Sequence, residues 1–336
     1  MCPKVAIVYN QPEPGRYADM GESAAIAGVL DEVEAVEQAL SDLKYSGFRV
    51  PLSPPLERVR ENLAAIKADV VFNLFEGFDG QPMTEVNVAE MLAELGLPYT
   101  GCNANAIRLC LDKVKAKDTI SAGGITSPHY HILKSKLPVQ FDLRFPCIVK
   151  PRAEDASHGI TEESVVYDRK QLEKQAAKVC KLFGGEALVE EYIDGRELNA
   201  TVIGNDKASV LPVSEIVYTL PQGKPRILTF AAKWEPQSEY YRGSVHVCPA
   251  DVGNDVKQRA ADIALSAFRL CGCSGYARVD FRQDAYGNLT VIDINPNPDI
   301  SLSSGAARQA RTAGLSYSQF IERIINIALE GTLDRN

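Results

Sequence analysis

Residues 291–301 read VIDINPNPDIS, and residues 275–281, a short turn earlier, read GYARVDF. On a strand, side chains two apart point the same way. Asp293 and Asn295 therefore share one face, and so do Arg278 and Asp280. A polar outer side of a hairpin explains each of these residues singly. It accounts less well for an arginine, two aspartates and an asparagine set in strands otherwise this apolar. The second reading is an oxygen-rich cation site. Asp280, Asp293 and Asn295 are the ligand types that Mg²⁺ takes while keeping water and phosphate oxygens as its other partners. Phosphoryl transfer needs such neutralisation, and Arg278 is placed to meet a transferred phosphate or an oxyanion.

Upstream, the apolar run FPCIVKP ends on Lys150. A lysine directed inward there calls for an anion, and a phosphate oxygen suits it; snorkelling at a strand end is the plainer alternative. The next loop, RAEDASHG, holds small residues, Ser157 and Gly159 among them, which let backbone N–H groups approach a phosphate. An ordinary hairpin loop explains it equally well. In ALVEEYIDGREL, Glu190 ends a strand and Glu197 follows a turn. The first suits an adenine amino group and the second ribose hydroxyls, since buried carboxylates left empty-handed are costly. Surface acidity is the alternative for both.

The totals limit the options. With 336 residues and 45% hydrophobic content, the chain exceeds one usual domain. A net charge of −8 argues against a nucleic-acid partner, whose binding surfaces are usually basic. Eight scattered cysteines, of which only Cys271 and Cys273 are close in sequence, form no CxxC pair; reduced thiols are expected, not a zinc site or disulfide scaffold. No signal segment or 18-residue apolar run is present, so no membrane association and a cytoplasmic location are expected.

Strand and helix alternate up to about residue 105, predicting a parallel sheet covered by helices. KVAIVYN and ADVVFNLFEG are its buried strands. DEVEAVEQALSDLKYSG is an amphipathic helix expected to stop at Gly47. Neither GxGxxG after the first strand nor GxxxxGK[ST] occurs. A second unit opens with the helix LDKVKAKDTISA, and a third carries the closing hairpin. The expected division is 1–105, 106–190 and 191–336.

Taken together, GLPYTGCNANAIRLCLDKVKAK, FPCIVKP, ALVEEYIDGREL, GYARVDF and VIDINPNPDIS make the chain resemble the ATP-grasp superfamily, and within it the D-alanine–D-alanine ligase-like proteins. That resemblance implies an α/β architecture, α+β in the later domains, with an N-terminal parallel-sheet preATP-grasp domain. It implies ATP and Mg²⁺ (or Mn²⁺) as cofactors. Lys113, Lys150, Ser157, Glu190, Tyr192, Ile193, Glu197 and Lys233 would surround the nucleotide. Arg278, Lys233 and Lys150 would serve catalysis, and Asp280, Asp293 and Asn295 would hold the metal. Asp293 stands where the family usually has glutamate, which keeps the charge and shortens the reach. The expected reaction is ATP-dependent joining of an amino acid or short peptide to an amine through an acyl phosphate. D-alanine–D-alanine ligation itself and a non-catalytic ATP-binding regulatory role are the alternatives. Glu76, Asp79, Glu85 and Ser301 are candidates to touch the substrate. A homodimer is common in the family. The family's His-Gly before the LPYTG turn is missing, and both the phosphate loop and the segment after the metal strand depart from its pattern.

Overall fold

The computed structural model describes residues 2–13, 23–78, 81–134, 141–154 and 156–333. Asp79 lies outside them. Three sheets organise the described residues. In the first, β1 (Lys4–Asn10) lies between β2 (Ser46–Leu52) and β3 (Val70–Leu74), all parallel, as the alternating pattern predicts. Helices α1 (Ser23–Asp42) and α2 (Leu56–Ala64) make the crossovers, and α3 (Met83–Glu94) follows. The helix stop expected at Gly47 falls earlier. Lys44 takes a left-handed conformation (φ 59°) and turns the chain, while Gly47 lies inside β2. There a Cβ would come within 2.8 Å of the Leu40 side chain, so the glycine serves close helix–strand packing.

The second sheet is antiparallel, in the order β4 (Tyr130–Leu133), β7 (Ala187–Glu191), β5 (Cys147–Pro151), β6 (Val165–Val166). It is backed by α6 (Arg169–Leu182), whose Leu172, Ala176 and Val179 join Cys147, Val149 and Val189 in one core. The third and largest sheet runs β11 (Ser244–Val247), β10 (Ser214–Tyr218), β8 (Arg196–Ile203), β12 (Tyr276–Gln283), β13 (Leu289–Pro296), with β9 (Ser209–Val210) on β8.

Helices stitch the sheets together. α4 (Ala104–Leu111), α5 (Lys113–Ala122) and α9 (Asn254–Leu270) place Ile107, Cys110, Ile120, Ala264 and Phe268 against Leu198, Ala200, Val279 and Phe281 of the third sheet. At the other end α11 (Tyr317–Leu333) lays Phe320, Ile321 and Ile324 against Val5, Ile7 and Phe72 of the first. Sequence-distant cysteines also converge. Cys273 lies beside Cys102 and Cys110, and Cys271 beside Cys110. These contacts and burial raise the pKa values of Cys271 and Cys273, which keeps both as thiols. No described helix is long and apolar enough to cross a membrane.

Candidate active site

The cleft face of the third sheet follows from alternation. Ala277, Val279 and Phe281 of β12 enter the core, so Arg278, Asp280 and Arg282 face the other way. Their cross-strand partners on β8 are Thr201, Asn199 and Glu197. On β13, Asn295 stands opposite Arg278 and Asp293 opposite Asp280. A bulge at this point pairs Phe281 with Val291 and skips Ile292. The extra residue lets Val291 and Ile294 both reach the core while Asp293 and Asn295 keep the cleft face. It also frees the Ile292 carbonyl, which accepts from Lys117 Nζ at 2.8 Å.

Three of the hairpin residues are bound together, and the fourth is held by α5. Arg278 forks onto Asp280 at 2.7 and 2.9 Å, and Asn295 Nδ2 donates to Asp280 Oδ2 at 3.0 Å. Lys113 Nζ meets Asp293 Oδ2 at 2.8 Å. Burial alone would raise the Asp293 pKa, but Lys113, Lys150 and Lys117 hold it at about 2. Burial would lower the Arg278 pKa, and Asp280 raises it instead. Among the described residues no three His, Cys, Asp or Glu side chains gather in a metal-binding group. The oxygen set here is two carboxylates and a carboxamide, with cations already balancing both carboxylates. That donor chemistry fits a hard divalent cation that takes few protein ligands.

A second polar knot lies on the facing sheet. Glu190, 2% exposed, receives Lys117 at 3.0 Å and Lys150 at 2.9 Å. Strand register places it there: Lys150 pairs with Leu188, so Glu190 sits diagonally on the same face. Burial would push the Glu190 pKa up, yet the two ammonium groups bring it below the ordinary glutamate value. The Lys117 pKa is also lowered, in its case chiefly by burial. It lies one helical turn after Lys113, so α5 aims one lysine at the hairpin and one at Glu190. Asp112 caps this helix by accepting from Val114 and Lys115 N–H, and binds Arg152 at 2.7 Å. The cap fixes α5 to the end of β5.

Glu197 accepts from Tyr218 Oη at 2.6 Å and pairs with Arg282 at 2.7 Å. Arg282 also lies over the Tyr192 and Tyr218 rings. Tyr192 borders an apolar group of Ile148, Ile160, Ile227, Leu228 and Tyr240, and the next residue, Ile193, is half-buried. Ser157 and its neighbour Ala156 both have left-handed backbones (φ 63° and 51°), uncommon away from glycine. Lys233 lies on the short helix α7 (Phe230–Trp234). His158, next to Ser157 in the same loop, lies near Phe230 with ring centroids 5.6 Å apart, and the far edge of Trp234 rests on Gly28 of α1. His246 on β11 is crowded by protein on one side; this and the charges of Arg308, Lys233 and Arg278 lower its pKa to about 4.

The hairpin residues, Lys113 and Lys150 with Glu190 are thus brought together; Glu197 and Tyr192 form a neighbouring cluster with Arg282. Glu76 is exposed, Glu85 is buried and accepts from Asn297, and Ser301 donates its N–H to Asp299 Oδ1. Sequence reasoning missed Lys117, Tyr218, Arg282 and Asn297. The i, i+4 spacing of Lys113 and Lys117 was the available signal for the first and the i, i+2 alternation with Arg278 and Asp280 for Arg282; Tyr218 meets Glu197 through strand register, and Asn297 is placed by the packing of the 100–103 turn and α3.

Comparison with known proteins places the fold and the family. Residues 125–326 match the family described as D-ala D-ala ligase C-terminus. The D-alanine–D-alanine ligase of Bordetella petrii is 32% identical over 97% of this chain and 92% of its own. An uncharacterized protein of Sinorhizobium fredii is 36% identical over 77% of this chain and 74% of its own. The fold superposes on a D-alanine–D-alanine ligase from Bacillus anthracis complexed with ATP, with TM-score 0.78 and 21% identity over all of both chains. The chain belongs to the D-alanine–D-alanine ligase family of the ATP-grasp superfamily. It is an ATP-dependent enzyme that forms C–N bonds.

Proposed function

We propose that the enzyme joins two D-amino acids, with D-alanine the first substrate to test, through an acyl phosphate. The narrower D-alanine–D-alanine reading is favoured over a ligase of unrestricted amino-acid or peptide substrates by the full-length relatives that carry that name. One observation carries the chemistry: Arg278, Asp280, Asp293 and Asn295 share one face of the hairpin, and Lys113, Lys117 and Lys150 all act on Asp293 there. In this reading Lys117 and Lys150 leave Glu190 to meet the nucleotide phosphates, and Glu190 turns to the adenine amino group. Glu197 accepts from the ribose, supported by Arg282. Arg278 faces the transferred phosphate and the oxyanion formed when the amine attacks. Asp280, Asp293 and Asn295 would hold magnesium. When bound, it offsets negative charge gathering on the transferring phosphoryl group. Lys233, carried on α7, closes the cleft and excludes water from the acyl phosphate.

The test is incubation with ATP, Mg²⁺ and single amino acids, reading ADP, phosphate and product mass. D-alanyl-D-alanine is the expected product. ADP release with another amino acid alone would return the broader ligase reading, and none with any would remove both. Asp293→Ala should abolish turnover in a folded protein; unchanged turnover contradicts the metal assignment.

A further inference from the structure

Just beyond the hairpin, the chain does something the reaction does not require. Asn297, between Pro296 and Pro298, has a left-handed backbone (φ 50°). The residue before a proline is normally extended, so this conformation is disfavoured twice over. Its carboxamide holds it there. Oδ1 accepts from the Cys102 N–H at 2.6 Å, and Nδ2 donates to Glu85 Oε1 at 3.2 Å. A carboxamide suits both, because one end must accept from an N–H and the other must donate to a carboxylate. Room is made for it by Gly101 (φ 93°), where a Cβ would fall on the Asn297 carboxamide. Glu85 is buried on α3, and Cys102 is fully buried in the turn before α4. The same turn is pressed on the start of β12: Asn103 Nδ2 donates to Gly272 O at 2.9 Å and Cys102 Sγ to Ser274 O at 3.1 Å. The entry to β12 and the exit from β13 are therefore pinned to one turn.

We propose that Asn297 is a positioning residue, which ties the end of β13 to α3 and the 100–103 turn and so sets where Asp293 and Asn295 stand. It touches neither nucleotide nor metal. The inference rests on reading the hairpin as the metal and phosphate site. Three variants separate it from a general packing role. Asn297→Ala removes both hydrogen bonds. Asn297→Asp keeps the acceptor for Cys102 but sets a carboxylate against Glu85. Glu85→Gln restores a donor opposite that aspartate.

The readout is calorimetric binding of a non-hydrolysable ATP analogue with and without Mg²⁺, alongside circular dichroism melting. Asn297→Ala should weaken magnesium-dependent binding by about tenfold, the low end for residues that support metal ligands, with metal-free binding unchanged. Asn297→Asp should lose more, and Asn297→Asp with Glu85→Gln should recover most of that loss. A folded Asn297→Ala protein with the wild-type magnesium dependence overturns the proposal, as does a double variant no better than Asn297→Asp. If wild-type binding shows no magnesium dependence, the ligase reading of the hairpin fails first and this inference goes with it.

Discussion

Glu190 shows how few side chains set the electrostatics of the cleft. A carboxylate this buried is tolerable because two ammonium groups flank it. Glu190→Gln would leave two lysines buried without their counter-charge, and a loss of about 3–5 kcal/mol is expected at neutral pH. Because its folded pKa lies below the ordinary value of about 4.3, the stabilisation is complete above that pH and fades as acid passes through the lowered value. Urea unfolding of wild type and Glu190→Gln from pH 7 downward should therefore show a gap that narrows below pH 4. A gap constant with pH would mean the charge contributes nothing. Lys117 makes a paired test. Lys117→Met should weaken ATP binding by roughly tenfold or more, the loss of one charge-assisted hydrogen bond. Lys115→Met, whose side chain is 66% exposed on the same helix, should leave it unaltered. Similar effects from both would mean that α5 does not aim Lys117 at nucleotide.

At the scale of elements, the bulged hairpin and two helices decide the shape of the site. Short helix α10 (Gly305–Thr312) covers the cleft-face polar residues of β8 through Gln309, which is fully buried. Its amide donates to Asn199 Oδ1 at 2.8 Å and Ser214 Oγ at 2.7 Å, and accepts from the Thr201 N–H at 3.0 Å. Gln309→Leu fills the same space and leaves several buried groups unpaired; at about 1–3 kcal/mol for each, a clear fall in the urea midpoint is expected. No fall would mean that water replaces the amide. Helix α7 depends on an absence. A Cβ on Gly28 would come 2.7 Å from the Trp234 ring. Trp234 is the one tryptophan of the chain, so its emission reports this contact without labels. Gly28→Val should shift that emission to the red and slow ADP release by unseating Lys233; an unshifted spectrum would show that the ring does not sit there in solution.

Across the whole molecule, no sheet is an island. α5 joins the second sheet to the hairpin of the third, α11 runs from the third to cover the first, and Asn297 ties the hairpin to α3. Nucleotide held by Lys150 and Glu190 on one side and by Glu197 and the hairpin on the other adds a further tie. Saturation to 100 times the dissociation constant stabilises the bound form by about 2.7 kcal/mol. Thermal melting should rise clearly with ATP and Mg²⁺ and less with ATP and EDTA. An equal rise in both would argue against a cation between hairpin and phosphates.

The sequence by itself determined the parallel first sheet, the hairpin and the shared face of its polar residues, because period-two and period-3.6 patterns are local. Lys150 and Glu190 stood out because each is a charged residue in an apolar run, where burial without a partner is costly. Tertiary structure decided the partners. Lys117, not only Lys113, reaches the cleft because a bulge frees the Ile292 carbonyl and register sets Glu190 diagonally across from Lys150 on the same face. Glu85 reads as a substrate carboxylate in the chain, yet is found hydrogen-bonded to an asparagine 212 positions away. Cys102, Cys110, Cys271 and Cys273 read as scattered and meet in one core. The physical reason is common to all: spacing along a chain fixes which face a side chain takes, while the group it meets there depends on which elements pack face to face.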